Sequence, residues 1–268
     1  MIKLLHRLSL FLVTIPLVSV PAQHLSNLPD FKHRFDGLQG AFVLYDLNED
    51  VSVRYNITQC AKRYSPASTF KILNSLIGLE TGVIPDEHFV IPWDGVRRDM
   101  PEWNRDHDMA SAIKYSVVPY YRELARRVGQ KRMQEWVRKV GYGNEAISGG
   151  IDRFWLGSSL RISADEQIDF LRKLYENKLP FSQRSLSIVK KILVRDATDA
   201  YVLHAKTGFA TGPDGSAIGW YVGYIERKGN VYFFACNIVS PNAEKDGERI
   251  MKSRQEIAVT ILKDLGIM

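Results

Sequence analysis

The sequence predicts an α+β fold, a mostly antiparallel sheet flanked by helices, with a helical insert between early and late strands. Three observations predict it. "GAFVLYDLNEDVSVRYN" near the start alternates like two strands around a turn over 47–50. "YVLHAKTGFA", "AIGWYVGYIER" and "NVYFFACNIV" near the end are strand-like runs parted by the turn-rich "TGPDGS" and "KGN". Between these two regions helical spacing dominates. Early strands pairing with late ones give one sheet with helices on its faces. A chain of 268 residues, 45% hydrophobic and 25% charged, suits a single compact domain, and no repeat or low-complexity tract divides it.

In chain order, the first segment, residues 1–22, reads as a secretory signal peptide. Lys3 and Arg7 make a basic start, 8–18 is almost wholly apolar, and Val20-Pro21-Ala22 offers small residues for cleavage. An uncleaved anchor is the competing reading, but the apolar run is short for a membrane span. A periplasmic or secreted protein follows, off the membrane once the leader is removed. The single domain is then 23–268, with its sheet region at about 23–65 and 200–268 and its helical region at about 66–199.

Pro66 opens a helix that ends near Gly82, a suitable residue just past a helix C-terminus. "YYRELARRVGQKRMQEWVRKVG" has apolar residues at helical spacing. In "SADEQIDFLRKLY", Ser163 is the N-cap and Glu166 closes a capping box. The last stretch, "RIMKSRQEIAVTILKDLGIM", returns to helical spacing.

Charge and cysteine use exclude several classes. Removing the leader takes away two cations and lowers the formal charge from +6 to +4. Arg97-Arg98 and Arg126-Arg127 lack interleaved aromatics and read as solvated faces, so no nucleic-acid partner is expected. The six histidines show no ligand spacing, and no metal site is expected. Cys60 and Cys236 are read as unpaired, Cys236 as a small buried thiol.

The informative stretch is "RYSPASTFKILNSLIGLETG". Ser68 and Lys71 stand three positions apart at the head of an apolar segment, on one face of a helix. A serine hydroxyl becomes a nucleophile when a base takes its proton. A lysine is that base only when neutral, which burial favours. S-x-x-K alone is more often an exposed helical turn. Here it is followed by Ser116-Val117-Val118 and then by Lys206-Thr207-Gly208 in a strand-like run. S-x-x-K with K-T-G marks serine β-lactamases and penicillin-binding proteins, and the ordered set of three is far more specific than any member.

With these motifs, and with "YGN" at 142–144, "FWL" at 154–156 and "WYVG" at 220–223, nearly the whole mature chain resembles a class D, oxacillinase-type serine β-lactamase. The resemblance implies a β-lactamase/transpeptidase-like fold and hydrolysis of penicillin-type antibiotics. Ser68 would be the acylated nucleophile. Lys71, N-carboxylated by carbon dioxide, would be the general base, with no other cofactor. Trp155 would donate its indole N–H to that carbamate. Ser116 would relay a proton to the departing ring nitrogen beside the Lys206 cation.

The resemblance further implies substrate-binding roles for Val118, Leu156, Thr207, Gly208, Phe209 and Arg254. Val118 and Leu156 would keep the site dry, the N–H groups of Ser68 and Phe209 would form an oxyanion hole, and Thr207 with Arg254 would hold the substrate carboxylate. Arg249 is a rival for that last role, and a guanidinium fork suits either position. Tyr142-Gly143-Asn144 is read as a structural turn, and Glu166 as a cap without a catalytic role. The partner implied is a small β-lactam, with the chain a monomer or weak homodimer. Two alternatives share the motifs. One is a non-hydrolytic β-lactam sensor, which would be tied to membrane spans that this sequence lacks. The other is a D-alanyl-D-alanine peptidase, which commonly has asparagine where Val118 stands.

Overall fold

The computed structural model describes residues 31–157 and 159–268, so the expected leader, 1–22, lies outside the described residues. β1 (Gln39–Asp46) and β2 (Val51–Tyr55) form the early hairpin. β3 (Val194–Ala197), β4 (Val202–Thr211), β5 (Ala217–Arg227) and β6 (Asn230–Ser240) follow late in the chain. They make one sheet in the order β2-β1-β6-β5-β4-β3, and every neighbouring pair is antiparallel. β1 closes on β6 with Phe42 opposite Cys236, which joins the two ends of the chain in the sheet's middle.

Helices cover both faces. α1 (Ile57–Ala61), α2 (Lys71–Glu80), α3 (Met109–Lys114), α4 (Val118–Val128), α5 (Gln130–Val140), α6 (Ala164–Tyr175) and α7 (Gln183–Ile192) supply the insert. α8 (Ala243–Asp264) covers the opposite face with the 3-10 turn Phe31–Phe35. Two apolar cores result. Trp220, Val222 and Tyr224 of β5 point into the insert-side core, and Tyr221 and Ile225 into the α8-side core. With both faces covered, the first nine residues of β5 are all buried, which is why the strand reads as a nearly continuous apolar run.

Two expectations change in detail. β3 lies inside the stretch expected to be helical, and it is too short and too exposed to show a strand's apolar alternation. The helical region also contains a long irregular segment, 81–108, whose regular structure is limited to the 3-10 turn Pro101–Trp103. Gly82, at φ 67°, ends α2 as anticipated. Cys60 and Cys236 are both free and buried. Cys60 belongs to the insert-side core and Cys236 to the α8-side core, so the sheet itself separates them. Among the described residues no helix is long and apolar enough to cross a membrane.

Candidate active site

Ser68 sits in a 3-10 turn, Ala67–Phe70, which runs directly into α2 at Lys71. The turn differs from the α-helical geometry expected, and the difference matters. In a 3-10 turn the side chains at i and i+3 eclipse, which stacks the amine beneath the hydroxyl, with Lys71 Nζ 2.9 Å from Ser68 Oγ. Ala67, just before the serine, has φ 50°, a left-handed backbone that is rare for a residue with a side chain.

Lys71 is fully buried. Its Nζ also donates to Ser116 O at 2.5 Å and Ser116 Oγ at 3.0 Å, and the Tyr121 ring lies 5.5 Å away. No carboxylate bonds to it among the described residues, and burial pushes its ammonium well below the usual lysine range. Ser116, at φ 56°, lies between α3 and α4. Lys206 comes from β4, and its Nζ donates to Ser116 Oγ and to Thr207 O, each at 2.9 Å. Burial first, and then the charge of Lys71, pull Lys206 below the usual range too.

Two of the other expected residues, Trp155 and Gly208, pack on the Ser68 turn. Trp155 is buried, and its ring stacks on Phe70 with centroids 5.5 Å apart. Phe154 and Tyr142 pack edge-on against the same Phe70. The indole Nε1 of Trp155 is buried and has no acceptor among the described residues. Leu156 follows it, half-buried, and Val118, also half-buried, opens α4. Gly208 meets the Ser68 turn: a Cβ there would lie 3.1 Å from Pro66 O and 3.2 Å from Thr69 Cγ2. Only a residue without a side chain lets β4 come so close. By the pleat, Thr207 and Phe209 face the other way from Lys206 and Gly208, and Phe209 packs against the α8-side core.

Arg254 and Arg249 separate clearly. Arg249, on the exposed side of α8, forms an ion pair with Asp36 at 2.6 Å. Arg254 turns inward, where its Cβ is 3.5 Å from the position a Gly219 side chain would start. Its Nε and Nη1 are buried without an acceptor among the described residues, and burial lowers the guanidinium to about 10. The turn and cap readings also match the geometry. Gly143, at φ 58°, abuts the Arg161 carbonyl, and Asn144 Oδ1 accepts from Arg161 N at 2.8 Å. Ser163 and Glu166 form the capping box, and Glu166 is further engaged by Arg63.

One contributor escaped the sequence reading. Ser65 Oγ donates to Trp155 O and accepts from Gly157 N, both at 2.8 Å, while its own carbonyl accepts from Trp220 Nε1 at 2.8 Å. It thereby ties the Trp155 loop and β5 to the segment entering the Ser68 turn. A lone serine three residues before a motif carries no signal in sequence.

The comparisons agree with this geometry. Residues 39–263 match the family model described as penicillin binding protein transpeptidase domain. The chain is 48% identical over 230 residues to β-lactamase OXA-48 of Klebsiella pneumoniae, covering 86% of this chain and 84% of that one. It is similar to the crystal structure of FUS-1 (OXA-85), a class D β-lactamase from Fusobacterium nucleatum subsp. polymorphum, with TM-score 0.83 and 40% identity over 89% of this chain and 98% of that one. It is also 34% identical to regulatory protein BlaR1 of Bacillus licheniformis, over 89% of this chain but 39% of that protein. The chain belongs to the class D β-lactamase family, on the transpeptidase fold.

Proposed function

We propose that this protein hydrolyses the β-lactam amide of penicillin-type antibiotics through an acyl-enzyme on Ser68. The observation that carries the reading is the 2.9 Å approach of a fully buried lysine amine to the Ser68 hydroxyl. Ser68 Oγ attacks the lactam carbonyl carbon. The carbon–nitrogen bond then breaks, and the proton lost by Ser68 reaches the ring nitrogen through Ser116, which both amines touch. Water then cleaves the ester and frees Ser68. Backbone N–H groups of Ser68 and Phe209 steady the carbonyl oxygen as it gains charge. Thr207 and the unpaired Nε and Nη1 of Arg254 receive the substrate carboxylate.

Carbon dioxide fits the pocket. A buried neutral amine is the reactive form, and the unpartnered Trp155 N–H is a donor suited to an added anion. When present, the carbamate on Lys71 supplies a general base for acylation and for the deacylating water. Val118 and Leu156 keep bulk water from the amine.

The test is steady-state hydrolysis of benzylpenicillin, an oxacillin-type penicillin, a cephalosporin and a carbapenem, with and without bicarbonate. Turnover that bicarbonate increases is the expected result. A stoichiometric burst without turnover would instead make the chain a sensor, and D-alanine release from a peptidoglycan fragment would make it a peptidase. Detection of the leader's cleavage in an exported sample tests the periplasmic or secreted location.

A further inference from the structure

Arg195 belongs to none of the motifs, yet it touches two of the elements that carry them. It stands on the edge strand β3, where Val194 pairs with His204 and Asp196 with Leu203, so Arg195 is the extra residue of a β-bulge. A bulge turns its side chain out of the regular alternation and commonly re-aims it toward a site. Arg195 Nε donates to Ala205 O at 3.0 Å, Nη2 to Ile113 O at 2.8 Å and Nη1 to Lys114 O at 3.2 Å. Ala205 directly precedes Lys206, and Ile113 and Lys114 end α3 just before Ser116.

The guanidinium is one of three donors holding this turn. The carbonyls of residues 113 and 114 are taken by Arg195, that of Tyr115 by Trp103 Nε1 at 3.1 Å, and that of Ser116 by Lys71 Nζ at 2.5 Å. Four consecutive carbonyls are thus held by side chains from three separate parts of the chain. A backbone at φ 56° persists at Ser116 when its surroundings over-determine it. Among the described residues no acid forms an ion pair with Arg195, and the titratable groups facing it are Tyr121, Tyr221 and Lys206. A half-buried cation facing Lys206 is unfavourable by charge alone. The rigid fork, which a lysine lacks, is what this position uses.

We infer that Arg195 is a positioning residue for the reaction proposed above: it ties the Ser116 turn to β4 and so holds the Ser116 hydroxyl between the Lys71 and Lys206 amines. The inference rests on the acyl-enzyme reading. Lys206 is faced by three cations, Lys71, Arg195 and Arg254, each of which disfavours its protonation. Removing the Arg195 charge therefore favours the protonated Lys206 that stands beside Ser116 in this reading and moves the alkaline limb of the acylation profile to higher pH, a shift that loss of a purely structural contact would not produce.

The experiment measures the rate at which benzylpenicillin mass adds to Ser68, across pH, in wild type, R195Q and R195K, with melting curves for each. Misplacement of a proton-relay group slows reaction on the order of 10–100-fold, and that loss is expected in both variants. The alkaline limb should move to higher pH in R195Q and stay in R195K. Wild-type rates in R195K, which keeps the charge and loses the fork, overturn the inference even if R195Q does not fold. An R195Q profile superimposable on wild type overturns it as well. A wild-type chain that takes up no penicillin overturns the acyl-enzyme reading and this inference with it, whereas acylated wild type with unaffected variants overturns this inference alone.

Discussion

Lys71 and Lys206 donate to the same oxygen, Ser116 Oγ, at 3.0 and 2.9 Å, although they come from a helix and a strand 135 positions apart (206 minus 71). Two buried amines around one hydroxyl, with no carboxylate bonded to them among the described residues, cannot both hold a full charge cheaply. The arrangement favours neutral nitrogen beside the Ser68 hydroxyl.

Lys71→Ala removes the proposed base. General-base catalysis contributes roughly 10²–10⁴-fold, so penicillin turnover should fall by at least about 10²-fold, with any acyl group on Ser68 persisting. Steady-state assays and intact mass after penicillin addition check this, and near-normal turnover would remove Lys71 from the mechanism.

The pH dependence has a definite sign. Both amines sit below the usual lysine range because of burial, while the unfolded chain binds their protons near the ordinary value, roughly 10.4. Stability from these groups is therefore present above that value and is lost as pH falls through the folded-state values. Activity should decline on the acid side for the same reason, because protonated Lys71 neither accepts a proton nor takes up carbon dioxide. Added bicarbonate should restore activity most at the acid edge of the profile. Lys71→Met, which keeps the volume and removes the buried amine, should melt no lower than wild type.

The two arginines of α8 should behave differently. Charge-assisted hydrogen bonds contribute about 1.5–3 kcal/mol, so Arg254→Ala should lower kcat/KM for penicillins by roughly 10–150-fold. Arg249→Ala breaks an exposed pair with Asp36, typically worth under about 1 kcal/mol, and should leave kcat/KM within about twofold. Equal losses in both variants would contradict the assignment of the carboxylate anchor.

Gly208→Ala places a methyl against Pro66 O and Thr69 Cγ2, at 3.1 and 3.2 Å. β4 must then retreat from the Ser68 turn by a few tenths of an ångström. A loss of kcat with little change in melting temperature is the expected outcome, since the strain falls between the two elements rather than within either one.

Ser65→Ala removes one bond to the Trp155 carbonyl and one from the Gly157 N–H, both buried. Leaving buried polar groups unpaired typically costs about 1–3 kcal/mol. Stability should drop by that order in denaturant melts, and bicarbonate dependence should steepen because the Trp155 loop is no longer pinned.

Sequence alone determined the ordered motifs at Ser68, Ser116 and Lys206, the antiparallel α+β design and the capping box at Ser163. Each is written locally, in residue spacing, in two-fold or helical periodicity, or in a cap four residues long. Only the tertiary structure decided that Arg254 rather than Arg249 turns toward the sheet, because both lie on one helix and the choice depends on which face packs. It alone kept Cys60 from Cys236, by placing the sheet between them. It also revealed Ser65 and Arg195, whose partners are carbonyls and N–H groups far away in sequence. Backbone groups are the same in every residue, so contacts made to them leave no trace in the order of side chains.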